Sequence, residues 1–333
     1  MHRTPRVRQC NVQSVPTYFH YESRWSEISF TVGDIDLTSL DNLGEVSYYD
    51  VLSPGEIKKV CIDSEVIVCN KTLFTKDILE SLPKLKFIAI TATGYNNVDL
   101  VCAKERGILV ANVPNYSTVD VAQHVFAFIL NYSNKVSEYD LSVKKGDWIK
   151  SKTFCYFDSP LTELCGKTLG IYGYGNIGKT VAKIADAFGM KVIVYNRSKK
   201  DMPYTQVDKE TIFKESDFLT IHCPLNDDTK HLINKDTLKM MKPTAVLINT
   251  ARGGVINEED LKDALNNGVI AHAYLDVLTF EPMIEGNVLL DAKNVTFTPH
   301  IAWAPKETRQ RLIDLVANNI TCFVKGNPIN IVN

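Results

Sequence analysis

A strand, a glycine-rich turn, a helix and a second strand follow one another within Leu169–Tyr195. The first apolar run ends in the pattern Gly173-x-Gly175-x-x-Gly178, and a helical pattern separates it from the next apolar run. In this setting the first glycine allows a tight turn, the second lets backbone approach a pyrophosphate, and the third lets helix and strand pack closely. The free N–H groups at the start of the helix favour an anion. The pattern predicts a dinucleotide site, and the alternative is a glycine turn in another α/β unit.

Short apolar runs alternate with helical patterns along the chain, which is typical of a parallel sheet covered by helices on both faces. The predicted strands are Ser64–Cys69, Lys86–Thr93, Ile108–Val113, Phe218–Cys223, Ala245–Asn249, Ile270–Val277 and Val295–Thr298. The predicted helices lie near Thr75–Ser81, Asn97–Arg106, Thr118–Asp140, Lys235–Met241, Glu258–Asn266 and Lys306–Val324. We therefore predict an α/β protein with two doubly wound parallel-sheet domains.

The length of 333 residues is too great for one ordinary core and indicates about two domains. We expect residues 26–116 and 301–333 to form a first, substrate-binding domain, because the last helix is predicted to return to it. Ser26–Thr31 is a poor match for its opening strand, so we expect that strand either here or displaced from these residues. Residues 117–300 are expected to form a Rossmann domain that binds the dinucleotide.

The N-terminal stretch Met1–Trp25 is rich in arginine and has no acidic residue before Glu22, as in some organelle transit peptides. However, Pro5 and Pro16 interrupt any long amphipathic helix. We expect an irregular extension here rather than a targeting signal.

The composition excludes several classes of partner. A net charge of −2 and a pI near 6.4 give no electrostatic reason to expect nucleic acid. No apolar run reaches the roughly 18 residues of a membrane span, so we expect no membrane partner. The eight cysteines are scattered without C-x-x-C pairs, which indicates a reducing, cytoplasmic location. His231 and His272 lack partners at metal-ligand spacing, so we expect no metal. His124 lies in an apolar run, which predicts a position in the core or behind the residues that line the site.

Three segments that follow predicted strands carry candidate chemistry, because strand ends of a doubly wound sheet gather ligands. Arg252 lies between a strand end and two glycines, where it can bind a carboxylate bidentately or be an ordinary surface arginine. Glu281 precedes Pro282, which holds it extended and argues against a helix-surface acid. His300 follows a strand and a proline, an arrangement that on its own is more often structural than catalytic.

Together these side chains supply what reduction of a 2-keto acid requires. The reaction needs a hydride donor, a cation for the carboxylate and a proton donor for the carbonyl oxygen. An imidazolium can give that proton near neutral pH, and a neighbouring carboxylate orients the ring and favours its charged form. With the dinucleotide turn, Arg252, His300 and Glu281 therefore predict an oxidoreductase.

The strand after the glycine turn ends in Asn196, followed by Arg197, Ser198 and Lys199. A NAD-dependent enzyme places an Asp at this strand end, which accepts from the ribose hydroxyls and would repel a 2′-phosphate. Asn196 removes that repulsion, and the next residues could bind the phosphate. We expect NADP(H) to be preferred over NAD(H), and the alternative is a solvated basic turn with ordinary use of NAD(H).

An ordered set of further motifs runs through the chain. They read ATGYNNVD at 92–99, VPNYST at 113–118, VAQH at 121–124, GKTLG at 166–170, HCPL at 222–225, TARGG at 250–254 and PHIAW at 299–303. A further segment combines Trp148 with FCY at 154–156 and EL at 163–164. From about Asp34 onward the chain thereby resembles the D-isomer-specific 2-hydroxyacid dehydrogenases, and within them the glycerate dehydrogenase/hydroxypyruvate reductase branch.

This resemblance implies a flavodoxin-like substrate domain beside the Rossmann domain. It also implies NAD(P)H-dependent reduction of a small 2-keto acid to the D-2-hydroxy acid, with hydroxypyruvate/D-glycerate as the expected pair and glyoxylate as another possible substrate. Arg252 would bind the substrate carboxylate and carbonyl, His300 would be the acid/base, and Glu281 would be its partner.

The resemblance implies further contacts. Backbone N–H groups at Thr93 and Gly94 would bind the substrate carboxylate, and Trp303 would wall the pocket. The implied or expected cofactor contacts are Gly173, Gly175, Asn176, Ile177, Gly178, Asn196, Arg197, Ser198, Cys223, Pro224, Thr229, Thr250, Ala251 and Asp276.

The resemblance also implies a homodimer through the helix region 118–140, whose excess of apolar positions agrees with a covered face. Proteins related to this fold also include transcriptional corepressors, which bind a dinucleotide to regulate their assembly. A dinucleotide-sensing binding protein is therefore the alternative function, and the segment from Trp148 to Tyr156 argues for the enzyme.

Overall fold

The computed structural model describes residues 24–27, by their backbone alone, together with residues 31–49 and 52–333. The chain divides into two compact units, Met1–Tyr116 with Arg309–Asn333, and Ser117–Thr308. The irregular extension expected for residues 1–25 lies outside the described residues up to Ser23, and a strand begins at Arg24.

The first unit contains a five-stranded parallel sheet. Its elements up to residue 111 are β1 (Arg24–Glu27), α1 (Thr38–Asp41), β2 (Val46–Tyr49), α2 (Pro54–Val60), β3 (Val66–Cys69), α3 (Lys76–Glu80), β4 (Phe87–Ile90), α4 (Leu100–Glu105) and β5 (Leu109–Ala111). The strand order is β2-β1-β3-β4-β5, which is the flavodoxin-like order. All residues of β3 and β4 are buried, as expected for central strands covered on both faces.

The second unit contains a seven-stranded parallel sheet. Its elements are α5 (Thr118–Asn134), α6 (Val136–Lys144), β6 (Thr168–Tyr172), α7 (Asn176–Ala187), β7 (Lys191–Tyr195), β8 (Thr205–Gln206), α8 (Lys209–Glu215), β9 (Phe218–Ile221), α9 (Lys235–Met240), β10 (Val246–Asn249), α10 (Glu258–Asn266), β11 (His272–Leu275) and β12 (Val295–Phe297). The strand order is β12-β11-β10-β9-β6-β7-β8. The chain enters at β6, runs outward to β8 and returns on the other side of β6, so the order reverses between β6 and β9. Ligands of open α/β sheets bind at the carboxyl ends of strands beside such a reversal.

Helices cover both faces of this second sheet. Successive residues of β10 enter different apolar clusters: Val246 and Ile248 pack in the cluster that includes Val125 of α5, whereas Leu247 packs in the cluster that includes Leu261 of α10. The predicted α/β class, with two doubly wound parallel sheets, is confirmed.

The single helix predicted over Thr118–Asp140 is wrong. The chain forms α5 and α6, which are separated by Lys135 in the left-handed region with φ of +50°. The helix α5 buries seven of its residues, whereas α6 buries none. Lys135 therefore separates α5, which packs in the core, from α6, which has no buried residue.

The opening strand is also displaced from its predicted position. It lies at Arg24–Glu27 rather than Ser26–Thr31, and it pairs with both β2 and β3. The sequence interpretation also missed α2, although Ser53 and Glu56 form a capping box around Pro54 at its start.

The last helix, α11 (Lys306–Val324), belongs to the first unit from Arg309 onward. The Arg309 guanidinium donates two hydrogen bonds to the Asp34 carboxylate, at 2.7 and 2.6 Å. These hydrogen bonds lower the pKa of Asp34 to about 2. The pair therefore ties the helix to the loop that follows β1.

Residues after α11 lie antiparallel to β5. Val332 donates its N–H to the carbonyl of Val110 at 2.9 Å. The Asn333 side chain accepts from the N–H of Val110 at 2.9 Å and donates to the carbonyl of Ile108 at 2.7 Å. These bonds cover the edge of the sheet at β5.

Candidate active site

The glycine turn between β6 and α7 has space at only one of its three glycines. Gly173 has φ of +106°, and a Cβ there would lie 2.9 Å from the carbonyl carbon of His222. A Cβ on Gly178 would lie 2.4 Å from the carbonyl oxygen of Gly173, because α7 packs directly on the turn. A Cβ on Gly175 would meet no described atom within 4 Å. Backbone atoms therefore crowd Gly173 and Gly178, whereas space is open at Gly175, where α7 begins.

Asn176 and Ile177 form the first turn of α7, directly after Gly175 as the N-cap. Gly175 and Asn176 are exposed, whereas Ile177 is partly buried against the core. Backbone N–H groups at the start of a helix carry partial positive charge and bind anions. The start of α7 is therefore suited to an anion such as a pyrophosphate.

Asn196 follows β7 and uses its side chain to hold the next residues. Its Oδ1 accepts the N–H of Tyr174 at 3.2 Å, and its Nδ2 donates to the carbonyl of Ser198 at 2.8 Å. Arg197 is exposed, and its Nη1 lies 3.7 Å from Oδ2 of Asp228. The strand end thus presents a neutral amide beside a solvated cation, with no carboxylate in the position that would hold the ribose in a NAD-type site.

The loop after β9 is closed by Thr229. Its Oγ1 donates to the carbonyl of Pro224 at 2.6 Å, and its N–H donates to Oδ1 of Asn226 at 3.1 Å. Cys223 is buried at the start of this loop, and burial raises the pKa of its thiol to about 11. The thiol is therefore protonated and unreactive at neutral pH, as expected if the backbone of Cys223 matters more than its sulfur.

The buried Asn249 shapes the loop after β10. Its Oδ1 accepts the N–H of Ala251 at 3.0 Å and its Nδ2 donates to the carbonyl of Arg252 at 2.9 Å. The Arg252 side chain is exposed, and its Nη1 donates to the carbonyl of Ala251 at 2.7 Å. A Cβ on Gly253 would lie 1.8 Å from the carbonyl carbon of Leu278, so only glycine lets this loop approach the loop after β11.

Thr250 in the same loop has a buried hydroxyl with no hydrogen-bond partner among the described residues. A buried polar atom without a partner is costly and marks a place for a ligand group or an ordered water. This hydroxyl, the open space at Gly175 and the start of α7 lie on loops that follow strands of one sheet. The residues present therefore fit a nicotinamide dinucleotide.

Glu281 and His300 form a close pair. Nδ1 of His300 lies 2.6 Å from Oε2 of Glu281, and the side chains are 30% and 31% exposed. The other carboxylate oxygen of Glu281 accepts the N–H of Leu278 at 3.1 Å, and the peptide bond between Glu281 and Pro282 is cis. With Nδ1 engaged, Nε2 is the nitrogen through which the His300 ring can serve a substrate.

Asp276 follows β11, is 2% exposed and holds the segment that carries His300. Its main-chain carbonyl accepts the N–H of His300 at 2.8 Å. Its carboxylate accepts the N–H groups of Ile301 and Ala302 at 2.9 and 3.0 Å. The expected cofactor contact of Asp276 stays a prediction, since the structure shows the carboxylate binding the chain itself.

The structure brings the loops of Arg252, Glu281 and His300 together in the second unit, at neighbouring strand ends. Trp303 follows the His300 turn and is half-buried. Thr93 and Gly94 belong to the first unit, in the loop after β4, where Oγ1 of Thr93 donates to the carbonyl of Val113 at 3.0 Å.

The sequence interpretation missed Glu258, the first residue of α10. Its Oε1 accepts the N–H of Thr279 at 2.7 Å, and its Oε2 accepts from the side-chain amide of Asn287 at 3.0 Å. Glu258 therefore supports the loop that carries Glu281. Acidic residues are common in the first turn of helices, so the sequence offers no signal that separates this one from its neighbours.

Comparison with known proteins shows the family. Residues 126–302 match the model of the D-isomer specific 2-hydroxyacid dehydrogenase NAD-binding domain. The chain is 42% identical over 310 residues to a hydroxypyruvate reductase of Blautia hydrogenotrophica, with 90% of this chain and 96% of the relative covered. It is 45% identical over 287 residues to a glycerate dehydrogenase of Methylorubrum extorquens, with 86% and 90% covered. The chain belongs to the D-isomer-specific 2-hydroxyacid dehydrogenase family.

A solved structure agrees with these matches. An NADPH-dependent glyoxylate/hydroxypyruvate reductase from Sinorhizobium meliloti, in complex with NADP and malonate, superposes with a TM-score of 0.80 and 28% identity. The match covers 94% of this chain and 97% of that one. The predicted family, its glycerate dehydrogenase/hydroxypyruvate reductase branch and the dehydrogenase class are confirmed. The relatives named here are enzymes and lend no support to the corepressor-like alternative.

Other features of the described residues bear on partners. None of their helices has the length and apolar character needed to span a bilayer. Their seven cysteines are all free, and no group of three or more His, Cys, Asp or Glu side chains among them is arranged to hold a metal. The cytoplasmic location expected from the cysteines stays a prediction.

Proposed function

We propose that this protein reduces a small 2-keto acid to the D-2-hydroxy acid with NAD(P)H, with hydroxypyruvate as the main substrate and glyoxylate as a further one. The observation that carries the proposal is the 2.6 Å contact between His300 and Glu281, on loops of the sheet that also carries the glycine turn. The hydroxypyruvate reductase and glycerate dehydrogenase relatives support the choice of substrate.

His300 and Glu281 manage the proton in this proposal. When bound, the reduced nicotinamide supplies the hydride that the substrate carbonyl carbon receives. Protonated His300 donates the Nε2 proton to the carbonyl oxygen, and the ring leaves the step neutral with its remaining proton on Nδ1. Glu281 accepts from that Nδ1–H throughout, which fixes the tautomer and the ring orientation. In the reverse direction Nε2 takes the hydroxyl proton.

Arg252 binds the substrate carboxylate in this proposal. A guanidinium has five N–H donors in a planar fork, and the bond from Nη1 to the Ala251 carbonyl leaves several of them for a bidentate contact. We further propose that backbone N–H groups of Thr93 and Gly94 contact the same carboxylate and that Trp303 limits the size of the substrate.

The reaction is tested by mixing the purified protein with hydroxypyruvate, glyoxylate or bulkier 2-keto acids and following the absorbance of the reduced cofactor. We expect turnover with hydroxypyruvate and D-glycerate as the only enantiomer on chiral chromatography. Dinucleotide binding without turnover of any of these acids would contradict the proposal and favour a sensing role.

NADP(H) is the cofactor that we propose as preferred. Asn196 is a neutral amide whose Oδ1 is engaged by Tyr174, so position 196 offers no carboxylate that would bind the ribose hydroxyls or repel a 2′-phosphate, and the nearby Asp228 carboxylate lies 3.7 Å from Arg197. The exposed Arg197 and Ser198 can bind that phosphate. The relative from Sinorhizobium meliloti is described as NADPH-dependent.

The cofactor proposal is tested by comparing kcat/KM for NADPH and NADH at saturating hydroxypyruvate. We expect NADPH to be preferred and Asn196→Asp to reverse the preference, because the new carboxylate repels the 2′-phosphate and accepts from the ribose. A tenfold or larger preference of the unaltered protein for NADH would end the proposal.

A second copy of this chain is the partner that we propose for α6 and the segment that follows it. The helix buries none of its residues, and Leu141, Ile149 and Phe154 are 58, 88 and 89% exposed. Large apolar side chains that stay exposed within one short stretch of chain are typical of interfaces. Light scattering should give a dimer for the unaltered chain and a smaller species for Ile149→Glu combined with Phe154→Glu.

A further inference from the structure

The turn that carries His300 adopts a conformation that needs support. His300 has φ of +55°, in the left-handed region that residues other than glycine rarely occupy. A residue held in this region is strained and persists only when its surroundings fix it. The buried carboxylate of Asp276 provides part of that support through its bonds to Ile301 and Ala302.

Thr298 adds a further bond to the same carboxylate. Its Oγ1 donates to Oδ1 of Asp276 at 2.6 Å. A hydroxyl has one proton to donate, and an ionised carboxylate can only accept. The Thr298 oxygen must therefore act as an acceptor toward any other polar group that contacts it.

His124 of α5 is that other group. Its Nε2 lies 3.0 Å from Oγ1 of Thr298 and 3.7 Å from Oδ1 of Asp276. Because the Thr298 proton points to Asp276, the bond runs from the Nε2–H of His124 to the Thr298 oxygen. The direction of the whole chain is set: His124 donates to Thr298, and Thr298 donates to Asp276.

Packing holds the His124 ring in this position. It makes an edge-to-face contact with Phe128, one helical turn later, with ring centres 4.5 Å apart. Burial lowers the pKa of His124, and the negative charge of Asp276 opposes that effect to a smaller extent. The ring is therefore mainly neutral at pH 7.5, as the tautomer that carries its proton on Nε2.

We propose that His124 is a positioning residue for the acid/base His300, acting through Thr298 and Asp276 on the turn at residues 298–302. The inference rests on the proposed function, since it assigns His124 a part in the same reaction. Without the His124 donor, the Thr298 hydroxyl can rotate away from Asp276, and the carboxylate loses one of the bonds that aim it at the turn. His300 then departs from the position needed for proton transfer, where small displacements cost large factors in rate.

The test compares His124→Leu, which removes the donor, with His124→Gln, whose amide N–H can reach the position of Nε2. We expect His124→Leu to lower kcat about tenfold and to change KM for hydroxypyruvate by less than about twofold, because Arg252 is untouched. His124→Gln should recover most of kcat. A Leu variant within twofold of the unaltered kcat, or a Gln variant no better than Leu, would overturn the proposal.

Thr298→Val removes the hydroxyl that links His124 to Asp276 and so interrupts the hydrogen-bond chain at its middle member. Adding His124→Leu to Thr298→Val should have no further effect on kcat, since the relay is already lost. Full additivity of the two changes would contradict the proposed path. Thermal melting of each variant shows whether a loss of kcat reflects unfolding instead.

A readout without turnover separates this inference from the function on which it rests. Nitrogen-15 NMR of the imidazoles, recorded on the labelled protein at pH 7.5, should show His124 as the neutral tautomer with its proton on Nε2. A proton on Nδ1 alone, or a charged ring, would overturn the proposed direction of the chain. If the protein reduced no 2-keto acid but showed this tautomer, the function would fail while the hydrogen-bond chain stood.

Discussion

The glycine turn after β6 and the loops after β10, β11 and β12 lie at the carboxyl ends of one parallel sheet, but they depend mainly on different features. At the turn, atoms must be absent: Cβ atoms on Gly173 and Gly178 would approach main-chain atoms to 2.9 and 2.4 Å. In the loops, polar atoms must be present: Glu258 and Asp276 hold backbone N–H groups through their carboxylates. The turn should therefore fail through added volume at Gly173 or Gly178, whereas the loops should fail through lost acceptors or donors and, at Gly253, through added volume as well.

The largest expected effect separates proton transfer from dinucleotide binding. His300→Ala removes the proposed proton donor and should lower kcat roughly 10²- to 10⁴-fold. The dissociation constant of the reduced dinucleotide, measured by fluorescence titration, should stay within about twofold, because the glycine turn is untouched. A kcat near that of the unaltered protein at neutral pH would show that the acid/base assignment is wrong.

Gly253→Ala tests whether an added methyl group also destabilises the loops. The new Cβ would lie 1.8 Å from the carbonyl carbon of Leu278, so backbone must shift, and we expect a loss of about 3 kcal/mol in unfolding free energy with a large loss of activity. Gly175→Ala is the control on the other side, because its Cβ would meet no described atom within 4 Å. Gly175→Ala should melt normally and weaken dinucleotide binding. Equal melting temperatures for the two variants would show that the close approach of Gly253 to Leu278 does not require glycine.

Glu258→Gln tests the dependence of the loops on acceptors. An amide cannot accept from both Thr279 and Asn287, so one donor is left unpaired at a cost of roughly 1–3 kcal/mol, and the loop that carries Glu281 loosens. We expect kcat/KM to fall about tenfold. The exposed neighbour Glu259 gives the matched control, since Glu259→Gln should leave kcat/KM unchanged. A similar fall in both variants would point to helix charge rather than loop support.

The smallest expected effect concerns the acid stability of the second unit. Burial lowers the pKa of His222 to about 3 and, with a lesser contribution from Lys135, that of His272 to about 4, from 6.5. Both rings are neutral in the fold, so their contribution is complete above about pH 6.5 and is lost as pH falls toward the folded values. The unfolding free energy should fall by no more than about 1.4 kcal/mol per pH unit for each ring. Urea unfolding between pH 7 and 5 should show that the unfolding free energy changes less with pH in His272→Gln than in His231→Gln. His231 is exposed and serves as the control.

The features that the sequence revealed are those with local causes. The glycine turn, the strand ends before Arg252 and His300, and the apolar cores of β3 and β4 each follow from spacing and side-chain type within a few residues. The family motifs then assigned roles that spacing alone left open, such as that of Glu281. Helices α10 and α11 have the predicted bounds, because a polar cap or loop and a clear apolar stripe define each of them.

The features that the sequence did not reveal depend on distant contacts. Lys135 breaks the predicted helix in the left-handed region, although lysine carries no local signal for that conformation. His124 contacts Thr298, which is 174 residues away in the chain, so its place in an apolar run could not identify this partner. The strand β2 is only partly buried and lies at the edge of its sheet, so it lacks the apolar run that marks β3.

The C-terminal residues beside β5 have a consequence for solubility. An edge strand exposes a row of unpaired N–H and C=O groups, onto which a strand from another molecule can add. Here Val332 and Asn333 occupy that row along Ile108 and Val110, so the protein satisfies its own edge. These C-terminal residues thus block intermolecular β-pairing at this edge of the sheet.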